Sequence, residues 1–213
     1  MIGSSPPPLL HPVVIALEPT LPFALWLLPA KPAADQLERT IRDLAQRHGT
    51  RAFLPHVTLC SGQAVNDASA LNELATRWRP QQLKVEGLHW GDDAFTCCYL
   101  RLCPSPGADF ITEAQQAFAN SHPPAVGLHL SLLYAIPAPD VPFAPSPGVA
   151  INRPALAEEL QSQLPWLHTR HPDPNVDPIT LSFDRLALVQ PGRGGWRDGW
   201  PWKVIATEAL VGR

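Results

Sequence analysis

The chain predicts an α+β fold of two similar halves meeting at a shared cleft, and three observations carry that prediction. Short segments of strand character are interleaved with segments of helical periodicity. One strand-like motif, a histidine followed two residues later by a hydroxyl, occurs twice: Pro55-His56-Val57-Thr58-Leu59 and Leu128-His129-Leu130-Ser131-Leu132. A segment of helical pattern precedes each copy, so the order of elements repeats with the motif. Successive side chains on a strand point to opposite faces, which puts His56 with Thr58 and His129 with Ser131, each pair backed by aliphatic neighbours.

The elements follow in order. Residues 1–21 read as a proline-punctuated leader, and 22–213 as a single bilobal domain with a proline-rich insertion at about 136–178. Residues 23–29, fully apolar and ended by a proline, predict a buried strand. From 32 to 47, Leu37, Ile41 and Leu44 recur at helical spacing, and Gly49 supplies a C-cap. The first histidine strand spans 53–60 and a second helix 67–77. Strands at 82–89 and 95–103 are joined by Gly91-Asp92-Asp93, read as a hairpin turn. A helix at 108–120 leads to the second histidine strand at 126–134. The prolines of 136–178 exclude regular structure except for a short helix at about 154–163, and the segment reads as a passive surface connection rather than a lid. Residues 179–189 and 202–210 are strands. Between them, Gln190 to Trp200 is glycine-rich and carries Arg193, Arg197 and two tryptophans.

Composition narrows the function. The chain has 213 residues, 45% of them apolar and 16% charged, which is a globular balance. A net charge of −3 and a pI near 6.2 argue against a protein that grips extended nucleic acid through its phosphates. A pocket for a small anion needs only local positive potential. Apolar runs fall short of the roughly 18 residues a membrane span requires, and no basic segment opens a secretory signal. A cytoplasmic monomer with no membrane partner is expected. Cys60, Cys97, Cys98 and Cys103 lack zinc-site spacing and read as small buried hydrophobes in a reducing compartment.

Histidine titrates near neutrality, so of two imidazoles at one site one can be neutral and the other charged. The neutral ring can take a proton from water, and the charged ring can give one to a departing alkoxide. Thr58 and Ser131 would donate hydrogen bonds to the non-bridging oxygens of a phosphate. No cofactor and no metal are implied, since each motif offers one metal ligand. A single His-x-Thr would be read as a satisfied, half-buried pair, but two copies in a repeated setting are read as a site. His11, His89, His122, His168 and His171 have no such company and are left as surface or loop residues.

The two motifs resemble the signature of the 2H (two-histidine) phosphoesterase superfamily. Their surroundings are similar to its cyclic phosphodiesterase branch: Trp26-Leu27-Leu28-Pro29, Phe53-Leu54-Pro55-His56-Val57-Thr58, His129-Leu130-Ser131-Leu132-Leu133-Tyr134, Leu181-Ser182-Phe183-Asp184-Arg185-Leu186-Ala187-Leu188 and Trp202-Lys203-Val204-Ile205-Ala206. The resemblance implies a bilobal α+β fold with two antiparallel sheets facing each other across the cleft and helices on the outer faces. It implies metal-independent opening of ADP-ribose 1″,2″-cyclic phosphate or nucleoside 2′,3′-cyclic phosphates, a chemistry associated with tRNA splicing. His129 would be the water-activating base and His56 the leaving-group acid, with Thr58 and Ser131 on the phosphate and Tyr134 and Trp26 against the sugar or base. By simple alternation Tyr134 falls on the wrong face, so the strand must end or bulge before it, or that tyrosine is core. The loop of Arg193 and Arg197 is expected to fold over the cleft and meet a diphosphate, or else to form an exposed hairpin. Competing readings are a 2H enzyme acting on RNA ends and a non-catalytic nucleotide-binding module.

Overall fold

The computed structural model of the protein describes residues 18, 20–63, 68–106, 108–138, 151–167, 179–198 and 201–212. The apolar run Phe23–Pro29 is strand β1, buried along its whole length. It reads as a continuous hydrophobic run because both of its edges are paired and both of its faces covered. Helix α1, Ala33–His48, buries Leu37, Ile41 and Leu44 and stops at Gly49, whose left-handed φ of 63° lets its N–H reach the Ala45 carbonyl. Strand β2 is Val57–Gly62, followed by α2 at Ser69–Arg77, β3 at Gln81–His89 and β4 at Cys98–Pro104. Then come α3 at Phe110–Ala117, β5 at Ser121–His122, β6 at His129–Leu133 and α4 at Arg153–Gln163. Strand β7 at Thr180–Gln190, the short α5 at Gly195–Asp198 and β8 at Lys203–Ala209 complete the order.

The strands form one eight-stranded antiparallel sheet in the order β1-β2-β6-β4-β3-β7-β8, with β5 beside β2 and a further pairing of β1 with β7. That pairing closes the sheet on itself, which corrects the expectation of two separate sheets. The physical reason is the length of β7. Its first half pairs with β3 through Thr180, Leu181, Ser182 and Phe183, and its second half pairs with β1 through Arg185 to Val189. The two histidine strands touch at a single pair, Val57 opposite Leu130.

One face of the sheet is covered by helices. Leu25, Leu27, Val57, Leu59, Leu130 and Leu132 pack there against Leu37 and Leu44 of α1, Leu71 and Leu74 of α2, and Phe110 of α3. The other face carries Ala24, Trp26, Leu28, Ala187 and Val189, packed by Trp196, Trp202 and Val204. Alternation along β1 and the histidine motifs separates the two sets, as the period of two requires.

Two further expectations are corrected. The tight hairpin at 91–93 is absent: β3 and β4 end at the pair His89–Tyr99, and residues 90–97 form a broad connection. Its carbonyls are used elsewhere, Ala94 accepting from the Ala135 N–H at 2.8 Å and Phe95 from the Ser131 hydroxyl at 2.6 Å. The helix inside the proline-rich segment is not a surface ornament. Asn152 caps α4 by accepting from the Ala155 N–H, Pro154 sits in its first turn, and Leu156 and Leu160 enter the main core. The rest of that segment, 139–150 and 168–178, lies outside the described residues, as do 1–17 and 19 of the leader and 199–200 of the loop. Glu18 is held by reciprocal hydrogen bonds with the Gln190 side chain, 3.0 Å each.

Among the described residues no helix is long and apolar enough to cross a membrane. Cys60, Cys97 and Cys98 are buried and Cys103 partly so, all with free thiols. Because Leu160 is fully buried, Leu160→Ala is expected to cost about 2–5 kcal/mol of unfolding free energy, measured by denaturant titration. A loss near zero would return α4 to the surface.

Candidate active site

Each histidine motif begins at a bend that holds its ring by the same device. His56 lies one residue ahead of β2, and its Nδ1 donates to the carbonyl of Leu54 at 2.6 Å. His129 opens β6, and its Nδ1 donates to the carbonyl of Gly127 at 2.9 Å. A carbonyl oxygen only accepts, so in both rings the hydrogen sits on Nδ1 and Nε2 is the nitrogen left for chemistry. The carbonyl used is two residues back in each case. Pro55 keeps Leu54 extended, and Gly127, at φ 73°, ends a turn in which its own N–H reaches the Pro124 carbonyl at 3.1 Å.

His56 is enclosed by rings. Trp26 stacks on it with centroids 3.6 Å apart and planes 11° from parallel, while Phe53 and Trp202 approach edge-on. The Tyr134 hydroxyl donates to His56 Nε2 at 3.3 Å. Tyr134 reaches that position because β6 ends at Leu133, which releases it from alternation. It stacks on Phe53 at 3.6 Å, and burial, the dominant cause, pushes its phenol well above the usual range. Burial likewise lowers His56 from 6.5 to about 3. The bond to Leu54 opposes that shift and the charge of His129 adds to it. His129 is less enclosed; burial lowers it too, against the pull of its bond to Gly127.

His56, Thr58, His129, Ser131, Tyr134 and Trp26 all line one cavity of about 400 Å³. The two hydroxyls differ. Thr58 is half-buried and faces the cavity, and among the described residues no hydrogen bond holds it. Ser131, 3% exposed, spends its proton on the Phe95 carbonyl. Arg197 stands at the rim, paired with Asp93 at 3.3 Å and over the Phe95 ring at 5.9 Å. Arg193 is exposed and does not line the cavity.

Sequence reasoning missed Phe95, Trp196 and Trp202 as cavity walls. Trp202 is the hub, with Trp26, Phe95, Tyr134 and Trp196 all 5.5–6.0 Å from it centroid to centroid. The one available signal was the crowding of tryptophans in and after the glycine-rich loop. Nothing marked Phe95, whose connection was read as strand.

No family model and no curated protein matches the chain. Solved structures do. Escherichia coli LigT complexed with NADP+ matches with a TM-score of 0.50 and 16% identity, over 91% of this chain and 99% of that one. LigT complexed with 3′-AMP matches to the same extent. A structure described as a phosphoesterase matches with a TM-score of 0.50 and 14% identity, again over 91% and 99%. The chain has the fold of LigT. At 14–16% identity the likeness is one of fold alone.

The burial of His56 sets a pH dependence for stability. Between about 3 and 6.5 the unfolded chain binds a proton at this residue and the folded chain does not, so stability falls as pH drops through that window. From pH 7 to 5 the loss assignable to His56 is about 2 kcal/mol. Denaturant titrations of wild type and His56→Gln at both pH values measure it, and an identical pH response in the two would refute the assignment.

Proposed function

We propose that the protein is a phosphoesterase that hydrolyses cyclic phosphodiesters of small nucleotides, ADP-ribose 1″,2″-cyclic phosphate or nucleoside 2′,3′-cyclic phosphates, by paired imidazole acid–base catalysis. The observation that carries this reading is the duplicated anchor: two Nδ1–carbonyl bonds leave two Nε2 atoms on one cavity, with hydroxyls beside them. A binding module would need neither the pair nor its anchoring. The cavity volume suits one small ligand rather than a long strand.

In the proposed reaction His129 Nε2 takes a proton from water as the water oxygen bonds to phosphorus. The bond from phosphorus to the ring ester oxygen breaks, and that oxygen takes the proton of His56 Nε2, leaving the 2′-phosphate (or 1″-phosphate). Proton exchange with solvent restores both rings. His56 is neutral in the empty site, so its proton must arrive with the anionic substrate, whose field acts most strongly where water is scarce. Tyr134 then gives up its donated bond to Nε2. Thr58 is the ready donor to the phosphate, and Ser131 joins by turning from Phe95. Trp26 keeps the His56 ring in plane, leaving Trp196, Trp202 and Phe95 to receive the sugar or base. No step is routed through a metal, and among the described residues no group of three metal-binding side chains is found.

Turnover of cyclic nucleotides should persist in EDTA, and His56→Ala and His129→Ala should each lower it by about a hundred- to ten-thousand-fold. An ester with a 4-nitrophenolate leaving group needs no acid, so His56→Ala should recover most of its loss on that substrate while His129→Ala should not. The opposite pattern would reverse the roles. Binding without turnover in the wild type would replace the enzyme by a binding module.

Arg197 is the arginine proposed to meet a diphosphate, exchanging Asp93 for the ligand. Arg197→Ala should raise KM for ADP-ribose cyclic phosphate about tenfold, the worth of one hydrogen bond to a charged group. Unchanged kinetics would remove the clamp.

A further inference from the structure

We infer that Ser61 and His122 form a second phosphate subsite, selecting nucleotides that carry another phosphate beyond the one at the histidines; this rests on the phosphoesterase reading above. Simple alternation from Thr58 would turn Ser61 to the helix-covered face. It does not, because β2 bulges: Thr58 lies opposite Trp26, Cys60 opposite Leu25 and Ser61 opposite Ala24, so Leu59 is the extra residue. Leu59 and Cys60 are both buried in the main core, and Ser61 is re-aimed into the cavity that holds His56, Thr58 and His129.

The short strand β5 then places His122 directly across from Ser61, with Ser61 Oγ and His122 Nε2 3.2 Å apart. Cross-strand partners share a face, so the exposed imidazole lies on the cavity side of the sheet and reaches the cavity through Ser61, which lines it. The chain that follows, Pro124 and Ala125, also lines that cavity before it turns at Gly127 to anchor His129. One connection thus carries a histidine at each end.

The spacing suits a single ligand. Ala24 and Trp26 are two positions apart on β1, so Ser61 and Thr58 are separated by roughly 7 Å along the sheet, about the width of one ribose. With His122 Nε2–H donating to Ser61 Oγ, the serine proton is free to donate into the cavity, and a hydroxyl polarised in this way suits an anionic acceptor. A neutral sugar or base gains less from that pair than a phosphate oxygen does.

The test is binding, so it does not depend on turnover. Adenosine 2′-phosphate and adenosine 2′,5′-bisphosphate are titrated calorimetrically into wild type, Ser61→Ala, His122→Ala and His122→Gln. The wild type is expected to prefer the bisphosphate by about tenfold or more, with both alanine variants near parity and His122→Gln in between. No preference in the wild type overturns the subsite. So does an equal weakening of both ligands in the variants, which would mean that the Ser61–His122 bond only pins β5 to β2, and so does a failure of both nucleotides to bind. A bisphosphate preference without turnover of any cyclic nucleotide would sink the proposed reaction and keep the subsite. Turnover without the preference would do the reverse.

Discussion

An imidazole can offer Nε2 to a substrate only when its other nitrogen is satisfied by something that does not move. In this chain the backbone provides that twice, through the carbonyl two residues before each histidine. The rest of the architecture serves the placement of those two bends. β2 and β6 meet at one residue pair, and β1, paired on both edges, keeps Trp26 against one of the rings. The helices occupy the opposite face and leave this one to the cavity.

Enclosure has a cost that the chemistry must use. Packing His56 between Trp26, Phe53, Trp202 and Tyr134 fixes its ring but strips it of water, and burial holds it neutral far below the usual histidine range. The same lack of water strengthens the pull of an incoming phosphate. In the proposed reaction His56 is neutral in the empty site and gains its proton when the anionic substrate enters. Ser131 is satisfied likewise, its hydroxyl donating to the Phe95 carbonyl.

Much of this was legible in the residues. The apolar run of β1, the spacing of Leu37, Ile41 and Leu44, Gly49 as a cap and the pairing of His56 with Thr58 each follow from local rules, and each is found. What failed had a non-local cause. A hairpin at Gly91-Asp92-Asp93 gives way to a broad connection because the carbonyls of Ala94 and Phe95 serve residues 135 and 131. For Tyr134 alternation left a strand end, a bulge or a core position open, because the end of β6 is set by pairing with β4, not by the residues of β6 themselves. His122 gave no local signal because Ser61, its partner among the described residues, lies 61 residues away in the chain.

By itself, then, the sequence determined the periodicities: which side chains share a face, where helices start and stop, and that two imidazoles each arrive beside a hydroxyl. These depend on neighbours within a few residues. Only the tertiary structure decided that the sheet closes through β7, that Trp26 stacks on a histidine, that Phe95 and Trp202 wall the cavity, and that a bulge turns Ser61 toward His122. Those outcomes depend on which strand lies next to which, and strand pairing is a competition among distant segments that no local pattern records.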